Sequence, residues 1–446
     1  MTFSMRDYLA FLESRGELVR VKKQVDPQFE LGYLLKETKG TKPFYFENVS
    51  GYQMPVVGGL AGDRNKLAEC LGVTPNGLIP KMIKAISNPI PARSVAAGPV
   101  HENVITSGID IPKLMPIPTF HQKDSAPFIT AGILIVKDKN YNRYFTSIRR
   151  LQVNGGNNVS ILIESPGLNE MYHQLEAQNE PLEVAIILGI HPIITLSSQL
   201  STQQFGLDKM AYAGGLAGQA FDMVKCKTVD LEVPADAEIV LEGKMIPHKR
   251  KTEGPFGELA GYYGPATEQP YVEVSAVTHR NNPIFQVVFP SSFEHIVPNG
   301  LNREASLFLH VRHLVPSVKA VHLTTAGGCR FHAVIAIDKK EEGDGKSAIL
   351  AALSSNKDVK HVIVVNDDVN IFDSHDVEWA VATRVQADED VVIIPGAKGS
   401  GLEPTHALKG VTAKMGIDAT YPLKHKTHFE RTFIPGSDTW KLSDYY

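Results

Sequence analysis

Between residues 116 and 300 the chain carries a series of short apolar runs, at 131–136, 159–163, 184–190, 238–246, 271–278 and 284–289. Each is rich in β-branched residues and bounded by Gly, Pro, Asn or Asp. Branching at Cβ restricts χ1 and suits a pleated strand, while the bounding residues turn the chain. This spacing predicts an antiparallel barrel or sandwich. The pattern then changes. Leu301, Ala305, Phe308, Val311 and Val315 recur at three and four residues, which predicts a helix over 301–315. Beyond it, strand-like stretches at 332–337, 361–365 and 391–394 alternate with helical ones at 346–354 and 376–384, the α/β signature. Upstream of 115, short helices mix with strand-like pieces at 43–49 and 54–59.

A chain of 446 residues has room for two or three domains at about 150 residues each. The pattern changes favour three, in a fold of mixed α/β and β class. They are an N-terminal α/β domain over 1–115, a split β-barrel-like domain over 116–300 and, after a linking helix at 301–316, a C-terminal α/β domain over 317–446. The N-terminus reads as an amphipathic helix closed near Gly16, with Leu9, Leu12 and Leu18 toward a core. It has neither a basic leader nor a long apolar stretch. The longest apolar stretch, 184–196, is interrupted by His191 and Pro192 and is too short to span a bilayer. No membrane partner is expected, and the location expected is cytoplasmic.

Lys and Arg number 45 against 49 Asp and Glu, a net charge of -4, which argues against a dedicated nucleic-acid binder. The three cysteines, Cys70, Cys226 and Cys329, share no short spacing, so neither a disulfide scaffold nor a zinc knuckle is expected. Gly345-Lys346-Ser347 imitates the end of a P-loop, but Lys340 stands where the first glycine belongs. The glycine-rich stretch 396–401 is a loop on its own merits. His425 and His428 have no carboxylate nearby in sequence and read as a surface pair.

Glu253-Gly-Pro-Phe-Gly-Glu258 is the segment that points to chemistry. Two carboxylates five apart around two glycines and a proline demand a tight turn, and Phe256 and the stretch 259–263 imply partial burial. Burial raises a carboxyl pKa unless a cation holds the charge, so two such groups around one arginine can divide into base and proton donor. On spacing alone a solvated turn with two ordinary glutamates is the stronger reading.

Together with Gly261-Tyr262-Tyr263, that segment resembles the signature of the UbiD family of decarboxylases. Met223-Val-Lys-Cys226 and 233–243 resemble the stretch preceding it. The likeness runs from Gly16-Glu17-Leu18-Val19 and Val25-Asp26 to Asn366-Asp367-Asp368, Trp379-Ala380 through Thr383-Arg384, and 416–420. The resemblance implies reversible, non-oxidative decarboxylation of aromatic, heteroaromatic or α,β-unsaturated acids by a carboxy-lyase using prenylated FMN, an electron sink that the 116–300 domain would bind. It implies a Glu–Arg–Glu network of Glu253, Arg150 and Glu258, with Glu258 as proton donor and Arg149 the local competitor of Arg150. Ser147, Ile148 and Arg149 would contact the cofactor. A flavin prenyltransferase would supply it, the small-molecule partners would be the acid and CO2, and the assembly expected is a homodimer or homohexamer through the C-terminal domain.

Relatives commonly hold the flavin phosphate through a divalent metal, usually manganese with potassium, on Asn, His and Glu. Those positions fall here on Phe145, Gly167 and Lys209, so no metal is expected. Lys209 and Lys414 are the expected replacements. Alternatively the cofactor is not bound and the chain is a non-catalytic accessory subunit. Further on, His295 and Arg303 are placed to receive a second anionic group. That makes furan-2,5-dicarboxylate, converted to 2-furoate, the lead substrate, by resemblance to the furandicarboxylate branch. A phosphorylated unsaturated acid would use the same basic pocket.

Overall fold

The computed structural model describes every residue except 1–2, 139–142, 164, 202–205, 437–438, 442, 444 and 446. It divides into two compact units, 1–305 and 306–446. Among the described residues no helix is long and apolar enough to cross a membrane.

At the start of the first unit, Ser4 and Asp7 form a reciprocal capping box that begins helix Met5–Ser14. Leu9 and Leu12 are buried, and Leu18 packs against their cluster. A four-stranded sheet follows, in the order Val19–Val21, Phe44–Phe46, Val56–Gly58, Phe285–Gln286. Its last strand comes from the run at 284–289, which was grouped with the barrel from its composition. In the structure Phe285 pairs in parallel with Val56 instead.

The barrel has six antiparallel strands: β1 Phe128–Asp138, β2 Arg143–Val153, β3 Asn158–Ile161, β4 Leu182–Leu188, β5 Ile239–Glu253 and β6 Thr267–His279. They run in the order β5-β4-β1-β2-β3-β6, and β6 pairs back onto β5 to close the cylinder. Closure leaves no long open edge. Leu134, Val136, Leu151, Val184, Ile186, Leu241, Val272 and Val274 belong to one buried cluster that fills the interior. Gly132 stands opposite Arg149, where a Cβ would come within 2.6 Å of the Leu151 side chain.

The sequence reading missed β2. Successive side chains leave the strand on opposite faces, and because each face mixes polar with apolar residues neither an apolar run nor a clean alternation marks it. Phe145, Ser147, Arg149 and Leu151 take one face, while Thr146, Ile148, Arg150 and Gln152 take the other.

Helix Phe293–Leu314 begins well before the predicted 301, with Pro298 inside it. The proline hid this start, since a ring at that position normally ends a helix. The division between the units falls within this helix.

The second unit is a five-stranded mixed sheet of β7 Val318–Leu323, β8 His332–Ile337, β9 His361–Asn366, β10 Val391–Ala397 and β11 Thr412–Ala419. The order is β7-β8-β9-β11-β10, with the central pairings parallel and the outer two antiparallel. Helices Asp344–Ser355 and Ser374–Arg384 follow the predicted alternation.

Candidate active site

Strand β2 delivers Arg150 and strand β5 ends on Glu253, so the barrel itself places the first ion pair. The guanidinium meets Glu253 bidentately, Nε to Oε1 and Nη2 to Oε2, each at 2.8 Å. This is the strongest geometry available to such a pair. The remaining nitrogen, Nη1, donates to Glu258 Oε1. Its carbon lies 4.9 Å from the centre of the Phe256 ring, so the intervening apolar residue of the turn also faces the cation. The structure therefore brings Arg150, Glu253 and Glu258 together.

Exposure grades the two carboxylates: the Glu253 side chain is 0% exposed and that of Glu258 18%. Glu253 is the fixed counter-ion, and Glu258 is the carboxylate that solvent can reach.

The turn between them needs its glycines. Gly254 has φ +87°, in the region that side chains disfavour. At Gly257 a Cβ would overlap the His121 ring. Gln152, two residues along β2 from Arg150, accepts from Gly254 N at 2.8 Å and donates to the Thr252 carbonyl at 3.1 Å.

A second group of sequence-selected residues lies around Arg149. Arg149 donates to Ser147 Oγ at 3.1 Å and to Ser165 Oγ at 2.6 Å. Phe145 also lies close to the other two substituted positions. Lys209 Nζ is 5.5 Å from the centre of its ring, and a Cβ on Gly167 would be 3.8 Å from its edge. The three positions assigned to metal ligands in relatives thus cluster in space, yet they offer a hydrocarbon ring, a hydrogen and an ammonium. This donor set does not fit a divalent metal.

Lys209 is 5% exposed, and its ammonium donates to the Ser198 carbonyl at 2.7 Å. Burial, with Arg149 nearby, pulls its pKa down from 10.5 to about 7. Two cations and two hydroxyls suit a phosphate.

His295 and Arg303 share helix Phe293–Leu314. Arg303 lies ten residues past its first residue rather than at its start as predicted, and its Nε donates back to Asn299 Oδ1 at 2.6 Å. His295 Nδ1 accepts from Ser291 N at 3.1 Å, which leaves Nε2 to carry the proton of the neutral ring. Lys414 belongs to the second unit, where its ammonium donates to the carbonyls of Leu353 and Asn356 at 2.8 and 3.1 Å.

The sequence reading missed Asp124, His121 and Gln152. Asp124 and His121 meet the Glu253–Glu258 turn only through the tertiary fold, and no spacing in the chain links them to it.

Three family models match the chain in order. They are the N-terminal domain of 3-octaprenyl-4-hydroxybenzoate carboxy-lyase over 9–86, its Rift-related domain over 93–293 and its C-terminal domain over 297–419. The chain belongs to the UbiD family of carboxy-lyases.

Among its relatives, an anhydromevalonate phosphate decarboxylase of Methanosarcina mazei is 38% identical over 96% of this chain and 99% of its own length. Among solved structures, the UbiD-class enzyme HmfF from Pelotomaculum thermopropionicum in complex with FMN superposes with a TM-score of 0.97. It is 49% identical over 99% of this chain and 100% of that one. An evolved dimeric form of HmfF in complex with prFMN gives 0.93 and 48%, with both chains fully covered.

Proposed function

We propose that the protein catalyses reversible, non-oxidative decarboxylation of an aromatic, heteroaromatic or α,β-unsaturated acid with prenylated FMN. The observation that carries this reading is the half-buried Arg150 shared by Glu253 and Glu258. Expelling CO2 from an sp2 carbon leaves an electron pair that no protein side chain accepts, and the prenylated flavin supplies that electron sink when bound. The side chains do the rest. Arg150, neutralised on one side by Glu253, orients the substrate carboxylate. Glu258 gives its proton to the carbon that CO2 leaves and regains one from solvent. In the carboxylating direction the same group removes that proton.

Lys209 and Arg149, with Ser147 and Ser165, would hold the flavin phosphate where relatives use a metal. Lys414 is committed to carbonyls of its own unit, so the phosphate role rests on the other two cations.

Protein made alongside a flavin prenyltransferase should carry flavin absorbance. Glu258→Gln should retain that absorbance and lose turnover by at least ~10²-fold, the usual contribution of a general acid. A protein that never takes up prenylated FMN would return the chain to the accessory-subunit reading, against which the intact Arg150 network and the carboxy-lyase relatives speak.

For the substrate, His295 and Arg303 support a second anionic group, with furan-2,5-dicarboxylate as the lead. A phosphorylated unsaturated acid is the second reading, favoured by the 38% identity to an anhydromevalonate phosphate decarboxylase. Initial rates with furan-2,5-dicarboxylate, 2-furoate, benzoate, a cinnamate and anhydromevalonate phosphate separate the two. Arg303→Ala should raise KM for the dianionic acid about tenfold, equivalent to ~1.4 kcal/mol, and leave monoacids unchanged. If wild type turns over the monoacids as well as furan-2,5-dicarboxylate and Arg303→Ala leaves KM for the dianionic acid unchanged, the second-anion idea fails.

A homo-oligomer formed through the second unit completes the proposal. Strand β10 lies at the edge of its sheet, with Ile393 67% exposed. Asp388, Glu389 and Asp390 precede it and Lys398 follows it. Antiparallel pairing with a second copy sets acid against base at both ends, the self-complementarity a two-fold interface requires.

A further inference from the structure

The turn that carries Glu258 is weakly held by its own pairing. Past Glu253 its own pairing is a two-residue ladder, Phe256 and Gly257 against Gly264 and Tyr263, closed at the tip by Glu258 N donating to the Tyr262 carbonyl at 2.7 Å and Gly261 N to the Glu258 carbonyl at 2.9 Å. So short a ladder does not order a turn by itself. The loop over 120–125 closes on it instead. Ser125 N donates to the Pro255 carbonyl at 3.1 Å, Gly257 N to Asp124 Oδ1 at 3.0 Å, and Lys123 N to the Tyr263 hydroxyl oxygen at 3.3 Å. One loop therefore grips the turn twice before Glu258 and once after it.

Asp124 is the centre of that grip. Its side chain is 0% exposed. Oδ1 is used by the turn, while Oδ2 accepts from His121 N at 2.9 Å and Phe120 N at 3.3 Å. Oδ2 also lies 3.4 Å from His121 Nδ1. The carboxylate thus joins its own loop to the turn and holds the His121 backbone, so that the His121 ring lies beside it. That ring rests on Gly257, meets Tyr263 edge-on at 6.1 Å between centroids, and packs against Phe289 at 5.3 Å. Backbone and ring together leave Gly257 little freedom, and Glu258 is the next residue.

We propose that Asp124, acting through Gly257 and His121, is a positioning residue that aims Glu258 at the carbon to be protonated. This rests on the reading of Glu258 as proton donor. Proton transfer depends steeply on alignment, and a displacement of about 1 Å costs on the order of 10²-fold in rate.

The test uses flavin-loaded enzyme and whichever acid of the panel is turned over fastest. Asp124→Ala should lower kcat roughly 10²-fold, with KM within about threefold of wild type and flavin absorbance retained. The solvent deuterium isotope effect on kcat should rise, because proton delivery becomes the slow step. Asp124→Asn keeps one oxygen for Gly257 N, so it should recover about tenfold of the loss. It also carries the test if the alanine variant does not fold. A folded Asp124 variant with kcat within about twofold of wild type overturns the assignment, as does a loss without a larger isotope effect. Glu258→Gln, measured in parallel, separates the two levels. If it turns over normally, the donor reading fails and takes this assignment with it. If it is inactive while the Asp124 variants run at wild-type rate, only the assignment fails.

Discussion

Lys209 keeps a buried ammonium against one carbonyl and one aromatic ring. An unfolded chain would titrate it near 10.5, whereas the folded protein releases the proton at about 7. Between those values the unfolded chain holds a proton that the fold has lost, so this group adds stability as the pH rises from 7 toward 10. Below 7 the cost of the buried charge is carried in full. Lys209→Met should therefore stabilise the flavin-free protein at pH 7 by roughly 2 kcal/mol and remove that slope, measured by urea titration at pH 7 and 9. The same variant should retain less flavin after gel filtration. A variant that is destabilised at both pH values and still holds its flavin would contradict the assigned role. Lys209 was conspicuous in the sequence only as an exception to the ligand positions of the resembled family. Its burial, and the closeness of Phe145 and Gly167, belong to the tertiary structure.

At the scale of elements, the start of helix Phe293–Leu314 is pinned from outside. Glu294 is 2% exposed and accepts from the backbone N–H groups of Gly59, Leu60 and Ala61 at 2.6, 2.7 and 3.3 Å. Desolvation outweighs those three donors and raises its pKa from 4.5 to about 7. Over that window the fold keeps a proton that the unfolded chain has given up, so stability through Glu294 falls as the pH rises. Glu294→Gln does not titrate. Relative to wild type it should be more stable at pH 8 than at pH 5, with a difference between the two comparisons of up to ~3 kcal/mol in denaturant titrations. An unchanged difference would mean that the carboxylate is already ionised at pH 5. The stake is functional, because the next residue is His295. The helix was predicted from its apolar repeat, but its first turns were hidden by Pro298. Strand β2 was hidden for another reason: one of its faces carries Arg150 and Gln152, and that polar content erased the apolar run by which neighbouring strands were found.

For the whole molecule, the testable surface is the open edge at β10. Its strand Val391–Ala397 has no buried residue. Ile393→Lys places a charge at the centre of the proposed pairing, a device that blocks edge association. It should shift the protein to a smaller species in light scattering while leaving the first unit's flavin absorbance unchanged. An unaltered mass would place the interface elsewhere.

The sequence by itself determined the order of patterns along the chain, because side-chain periodicity is a local property that each element carries with it. It also singled out Glu253 and Glu258 as the carboxylates of the proposed site, since they sit in one turn and belong to an ordered series of motifs. Only the tertiary structure decided what surrounds them. The reach of Arg150 from β2 to both glutamates and the grip of Asp124 on Gly257 join residues about a hundred or more positions apart. Such contacts form when a folded core offsets the entropy of closing long loops, and no local pattern records them.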